Sequence, residues 1–262
     1  MNITKVLFIL GAVICLPLYG FLCLTNLDPV TGFFSSSTLL TTLFYGALFL
    51  IPVLMLLFSH VIQKKLSFSI SNSKVLAVLS FLLGGVMIGN GVSHLLHLLS
   101  LFQTGAMFGT ALLTGLQIPM SVLSGFAFLR LGLGYLRENI NRTGSMSFLF
   151  PVIWALITCI EMFRDYPLIA GMPERTLYLL CLLSFTLFLM GQSRILNNID
   201  FPRGVRWSNG FGFCAGLFGL TLMVGEVAAF STMSLPLLDV GLSLLIALYC
   251  VAFSVNTFSE NK

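Results

Sequence analysis

Charged residues make up only 8% of this 262-residue chain, where roughly a quarter is usual in a soluble domain. Together with 57% hydrophobic residues and a mean hydropathy of +1.01, that shortage excludes a water-soluble globular domain. Catalytic signatures are missing too. There is no Walker loop, no Gly-x-Ser-x-Gly elbow, no His-Glu-x-x-His and no dinucleotide fingerprint. No serine or aspartate is arranged as a nucleophile, so the sequence leans away from an enzyme and implies no cofactor. Cys-x-x-Cys pairs are absent as well. Cys15, Cys23, Cys159, Cys181, Cys214 and Cys250 all lie inside apolar runs, as small buried residues do, which speaks against a disulfide or zinc framework. A lipoprotein signal at Cys23 fails because bulky Leu22 precedes it.

What the chain does contain is a series of apolar runs of membrane-spanning length, about 20 residues each. Breaking it at the polar segments predicts eight helices, at 6–25, 39–62, 75–101, 111–130, 146–163, 176–195, 208–230 and 235–257. The first is longer than a signal-peptide core and lacks an Ala-x-Ala site, so it reads as an uncleaved span. The expected fold is an all-α polytopic transmembrane helix bundle, with residues 1–262 forming one membrane domain. With eight spans, every Lys and Arg except Arg164 and Arg175 falls on the side that holds both termini. Cytoplasmic loops carry the excess of basic residues, which places both termini in the cytoplasm. The net charge of +4 is spread over these loops, which suits anionic lipid as a partner and gives no footprint for nucleic acid. The Asn-x-Thr triplets at Asn2 and Asn141 face inward and carry no glycosylation meaning.

Two small-residue motifs mark expected close helix contacts. They are Gly85-x-x-x-Gly89 in the third span and Gly212-x-x-x-Gly216 in the seventh. Their matching places in a four-plus-four division suggest a parallel repeat. In the first outer loop, Asp28-Pro29 and Thr31-Gly32 favour chain reversal, and Phe33 and Phe34 return the chain to the interface.

Ionisable groups inside spans are costly and are the first functional candidates. Asn90, His94 and His97 form one stripe of the third helix, with the histidines about 28 to 33 Å from its inner end. Glu161 and Arg164 lie at the outer end of the fifth span, Glu226 at the outer end of the seventh and Asp239 one turn into the eighth. These seven residues, from four helices, share the outer half of the membrane. The inner half has no mid-span carboxylate, and His60 marks its edge. Three functions compete for the group: a divalent-cation site, with His94 and His97 as ligands if a metal is present; a proton relay through the histidines and Glu226; and binding of a polar solute or headgroup. Against all three stands plain packing, with polar contacts across helix interfaces and Glu161 pairing with Arg164 at i, i+3.

Asp28-Pro-Val-Thr-Gly32 after the first helix resembles the Asp-Pro-x-Thr-Gly loop of a family of multi-pass membrane proteins from anaerobic Gram-positive, Firmicutes-type bacteria. Pro151 and Trp154, followed by "MFRDYPLIAG", resemble that family's Pro-x-x-Trp helix, which ends in an aromatic-Arg pair. Phe163 stands where the family has Tyr. The resemblance implies a bacterial plasma membrane and agrees with the helix count. It marks Trp154 and Arg164 as family features without a role, and it supplies no activity. The leading functional expectation is translocation of a small molecule, ion or proton through the outward-facing cluster. Its rival is a noncatalytic interaction or sensor subunit with a membrane-protein partner, and an intramembrane metal-dependent enzyme comes last.

Overall fold

The computed structural model describes residues 3–28, 32–34, 39–62, 66–68, 73–104, 108–137, 145–165, 172–229 and 235–260. Among them are eight α-helices: α1 Ile3–Thr25, α2 Leu39–Ile62, α3 Lys74–Thr104, α4 Phe108–Leu136, α5 Leu149–Asp165, α6 Pro173–Leu196, α7 Phe201–Ala228 and α8 Leu237–Thr257. A single-turn 3₁₀ helix, Ser145–Phe148, leads into α5. Seven of the eight, all but α5, are long and apolar enough to cross a membrane. The chain is therefore a multi-pass membrane protein in contact with a lipid bilayer. Side chains such as Leu24, Leu39, Phe49 and Val227 remain largely exposed on the perimeter, where only hydrocarbon removes the cost of exposing them to water. At 17 residues, α5 covers about 25 Å, and the 3₁₀ turn lengthens it.

Helices α6 and α7 form the centre. Of their apolar windows 61% and 67% are buried, against 28% for α1 and 33% for α2 and α4. They are joined by a tight turn in which Asn198 and Asp200 adopt positive φ, and α7 starts at Phe201-Pro202, earlier than the expected 208. Proline fits the first helical turn because its missing N–H would have no partner there. Arg203 and Arg206 consequently belong to a helix and not to a loop. Asp200 pairs with Arg203 at 3.2 Å, and Arg194 lies over the Trp207 ring at 4.7 Å. Likewise α4 runs on past Arg130 to Leu136, and α3 ends at Thr104. Residues 105–107 of "FQTGAMFGT" lie outside the described residues.

The glycines set the packing. In α7, a Cβ on Gly212, Gly216 or Gly219 would meet α8, as the seventh-span motif predicted. In α3 the motif points the other way: a Cβ on Gly85 or Gly89 would meet nothing within 4 Å, and it is Gly84 and Gly91 that touch α4. Gly84 faces Gly125 so closely that an added Cβ would lie 2.8 Å from the Gly125 carbonyl oxygen. The glycine match that suggested a repeat is thus lost.

The start of α1 and the end of α8 lie at one end of the bundle. Lys5 Nζ donates to the Val255 carbonyl at 3.1 Å, and Asn209 Nδ2 donates to Thr4 Oγ1 at 3.1 Å. A two-stranded antiparallel sheet, β1 Leu66–Phe68 with β2 Phe258–Glu260, ties the connection between α2 and α3 to the C-terminal segment. At the opposite end the first loop reverses as expected. Gly32 has φ +70° and donates to the Asp28 carbonyl at 2.9 Å, and Phe34 packs edge-on against Tyr19. Residues 29–31 of the Asp-Pro-Val-Thr-Gly segment lie outside the described residues.

Candidate functional site

Asn90 is 3% exposed and sits where Gly91 brings α3 against Ile118 and Val122 of α4. Its amide bridges two helices. Nδ2 donates to Asp239 Oδ1 of α8 at 3.5 Å, and Oδ1 accepts from Ser121 Oγ of α4 at 3.2 Å. Ser121 shares a stripe of α4 with Gln117 and Thr114, spaced by four and three residues, and all three are fully buried. Gln117 Nε2 donates to Glu161 Oε2 of α5 at 2.5 Å, and Thr114 Oγ1 donates to Glu161 Oε1 at 3.4 Å. Pro119 lies within α4 between Gln117 and Ser121 and cannot donate to the Gly115 carbonyl one turn back, so one backbone acceptor of the helix is left without its usual partner. From α6, Tyr178 sits next to Asp239 without closing a hydrogen bond of normal geometry.

The outcome is a polar site built by α3, α4, α5, α6 and α8. Two partly exposed carboxylates, Glu161 and Asp239, stand over a buried floor of amide and hydroxyl groups. The carboxylates are close enough to repel each other, and Arg175 acts on Asp239 with the opposite sign. Gln117 Oε1 is buried and has no hydrogen-bond partner. Unpaired buried acceptors are costly and infrequent in folded proteins, so the site has more acceptor capacity than the chain itself fills.

The seven sequence candidates divide. Asn90, Glu161 and Asp239 come together. Glu226 belongs to a second group, where it faces Glu174 of α6 and Cys23 of α1. His94 is half-buried beside exposed His97, both beyond Asn90 toward the C-terminal end of α3. Arg164 is exposed at the end of α5. Among the described residues no set of three or more His, Cys, Asp or Glu side chains is placed to hold a metal ion.

Gln117, Thr114, Ser121 and Tyr178 were missed because they are uncharged, and Glu174 because it was assigned to a loop. The 114, 117, 121 spacing around Pro119 was the available signal. Toward the end of the bundle that holds the start of α1 and the end of α8, three of these helices, α4, α6 and α8, close on one another. Gln192 Nε2 donates to the hydroxyls of Tyr249 at 2.6 Å and Tyr135 at 3.1 Å. Phe128, Phe185, Phe188 and Phe253 pack around them in edge-to-face and stacked contacts. Tyr249 follows Asp239 by about 15 Å of helix, so a fully buried aromatic plug underlies the polar site. No protein family, curated protein or solved structure matches this chain.

Proposed function

We propose that this multi-pass membrane protein translocates a small cation, either an inorganic ion or a small ammonium-type solute, taken up at the Asn90–Gln117–Glu161–Asp239 site. The observation that carries the reading is the convergence of two carboxylates and the unpartnered Gln117 Oε1 from separate helices on one partly open site. Carboxylates and amide oxygens are acceptors, and intramembrane carboxylates mark ion and substrate paths. The aromatic plug beneath, on helices that also carry the site, supports a state closed on its inner side. The basic loops support a cytoplasmic side for both termini, and on that reading the polar site faces outward. The resemblance supports a bacterial plasma membrane as the location.

In proteoliposomes, the protein is expected to carry at least one of Na⁺, K⁺ or methylammonium. Asp239→Asn is expected to lower that flux about tenfold or more, since a lost charge-assisted contact is worth roughly 1.5–3 kcal/mol. The double variant His94→Ala, His97→Ala is expected to keep it, because the histidines stand outward of the group. Flux unchanged in Asp239→Asn would remove this site from the mechanism. Absence of flux for all three cations would favour the interaction-subunit reading.

A further inference from the structure

A groove of about 250 Å³ opens between α5 and α6, where the 3₁₀ turn leads into α5. Val152 of α5 and Leu189 of α6 are buried and form its floor, while Leu149 and Met190 are exposed and form its rim. It therefore opens on the lipid-facing perimeter. One turn further along α6 the lining changes character, to Ser193 and Arg194. Arg194 lies in the last turn of α6. Ser208 of α7, which packs on Gly191 of α6, accepts through its carbonyl from Ser254 Oγ near the end of α8 at 3.2 Å. The polar end of the groove thus lies at the end of the bundle that holds the start of α1 and the end of α8. Trp207 stands there too, as tryptophans do at a membrane interface.

The charge at that end is not balanced. Among the described residues, the carboxylate that Arg194 faces is Asp200, whose Oδ2 is 3.8 Å from its Nη1, beyond hydrogen-bond reach. Arg203 approaches the same oxygen more closely, at 3.2 Å. Two guanidinium groups share one carboxylate, and positive charge is left over beside the groove. Ser193 Oγ accepts from Asn197 Nδ2 at 3.3 Å, which leaves its own hydrogen to donate. The forked donors of arginine match the oxygens of a phosphate. A cation and a hydroxyl at the interface, with an apolar floor one turn deeper, have the layout of a phospholipid. The excess positive charge favours a net anionic headgroup over a zwitterionic one, whose own cation Arg194 and Arg203 repel. We propose that this groove binds one anionic glycerophospholipid from the adjoining leaflet, with its phosphate on Arg194 and Ser193 and an acyl chain laid over Val152 and Leu189. The site is separate from the Asn90–Asp239 group and does not rest on the transport reading.

The test is native mass spectrometry of the full-length protein in a non-ionic detergent, titrated with phosphatidylglycerol or with phosphatidylcholine of the same chains. One phosphatidylglycerol per chain is expected to bind about tenfold more tightly than phosphatidylcholine, the scale of one charge-assisted contact. Arg194→Gln should bring the two lipids level. Arg194→Lys, which keeps the charge, should retain their order. Val152→Phe, which fills the floor, should weaken both. Lys5→Gln removes a positive charge at the same end of the bundle but on α1, and it should leave the preference unchanged. Four results would overturn the proposal. The first two are equal binding of both lipids by the unsubstituted protein and an undiminished preference in Arg194→Gln. The third is full displacement of the lipid by an equal concentration of glycerol phosphate, which would make a soluble phosphate compound the occupant. The fourth is a dimer that Val152→Phe dissociates, which would make a second copy of the chain the occupant.

Discussion

A methyl group at Gly125 tests how the α3–α4 pair is held. Its Cβ would lie 2.7 Å from the Gly84 carbonyl oxygen and 3.2 Å from the Ile88 amide nitrogen. Both are backbone atoms and cannot rotate away as a side chain would. Gly125→Ala is therefore expected to destabilise the protein by about 1–3 kcal/mol, read as a lower unfolding midpoint in mild detergent. Gly89→Ala is the control. A Cβ there meets nothing within 4 Å, so the variant should be neutral or more stable by up to about 1 kcal/mol, the helix propensity that glycine forfeits. Equal loss in both variants would contradict the packing described. The contrast also shows what the sequence conceals at this scale. Gly84, Gly85, Gly89 and Gly91 all lie in one apolar run, and only the direction of approach of α4 decides which of them matter. The same holds for the site. Asn90 and Asp239 were visible because amide and charge stand out in a span, whereas Ser121 and Thr114 look like any helix hydroxyl until their partners are known.

At the scale of helices, the hydroxyl and amide groups of Tyr135, Gln192 and Tyr249 join α4, α6 and α8 deep in the bundle. Tyr249→Phe removes the closest partner of Gln192 Nε2 and leaves a buried donor less satisfied, at an expected cost of about 1–2 kcal/mol. Gln192→Leu should cost less than that, because Gln192 Oε1 already has no partner and the two tyrosine hydroxyls remain 3.3 Å apart. Replacing a half-satisfied polar group by an apolar one of similar shape can be nearly neutral. Thermal unfolding of the two variants side by side decides it, and a Gln192→Leu defect larger than that of Tyr249→Phe would refute this order. Element identity itself was readable from the sequence. Apolar runs bounded by basic residues give all eight helices, because hydrocarbon thickness sets their length. The ends were less readable. Arg203 and Arg206 marked an expected loop, yet they sit in α7, since long basic side chains can reach the interface from inside a helix.

For the molecule as a whole, the weakest link is α5, the one helix too short to count by length and composition. Geometry argues that it crosses nonetheless. If seven helices crossed and α5 did not, the termini would lie on opposite sides of the membrane. They lie together, joined by Lys5 and Val255 and by the pairing of β1 with β2. An even number of crossings satisfies that contact, and a crossing by α5 would make the number eight. Single cysteines reacted with a membrane-impermeant maleimide in intact cells give a direct readout. All six native cysteines are buried, so labelling should report the introduced residue. Ala170→Cys, after α5, should react in intact cells. Thr143→Cys, before α5, should react only after the membrane is permeabilised, as should a cysteine appended after Lys262. Reaction of Ala170→Cys and Thr143→Cys from the same side would mean that α5 does not cross. Reaction of the appended cysteine in intact cells would reverse the orientation drawn from the basic loops. In that event the site formed by Asn90, Glu161 and Asp239 would open toward the cytoplasm, and the translocation it supports would begin from the other side.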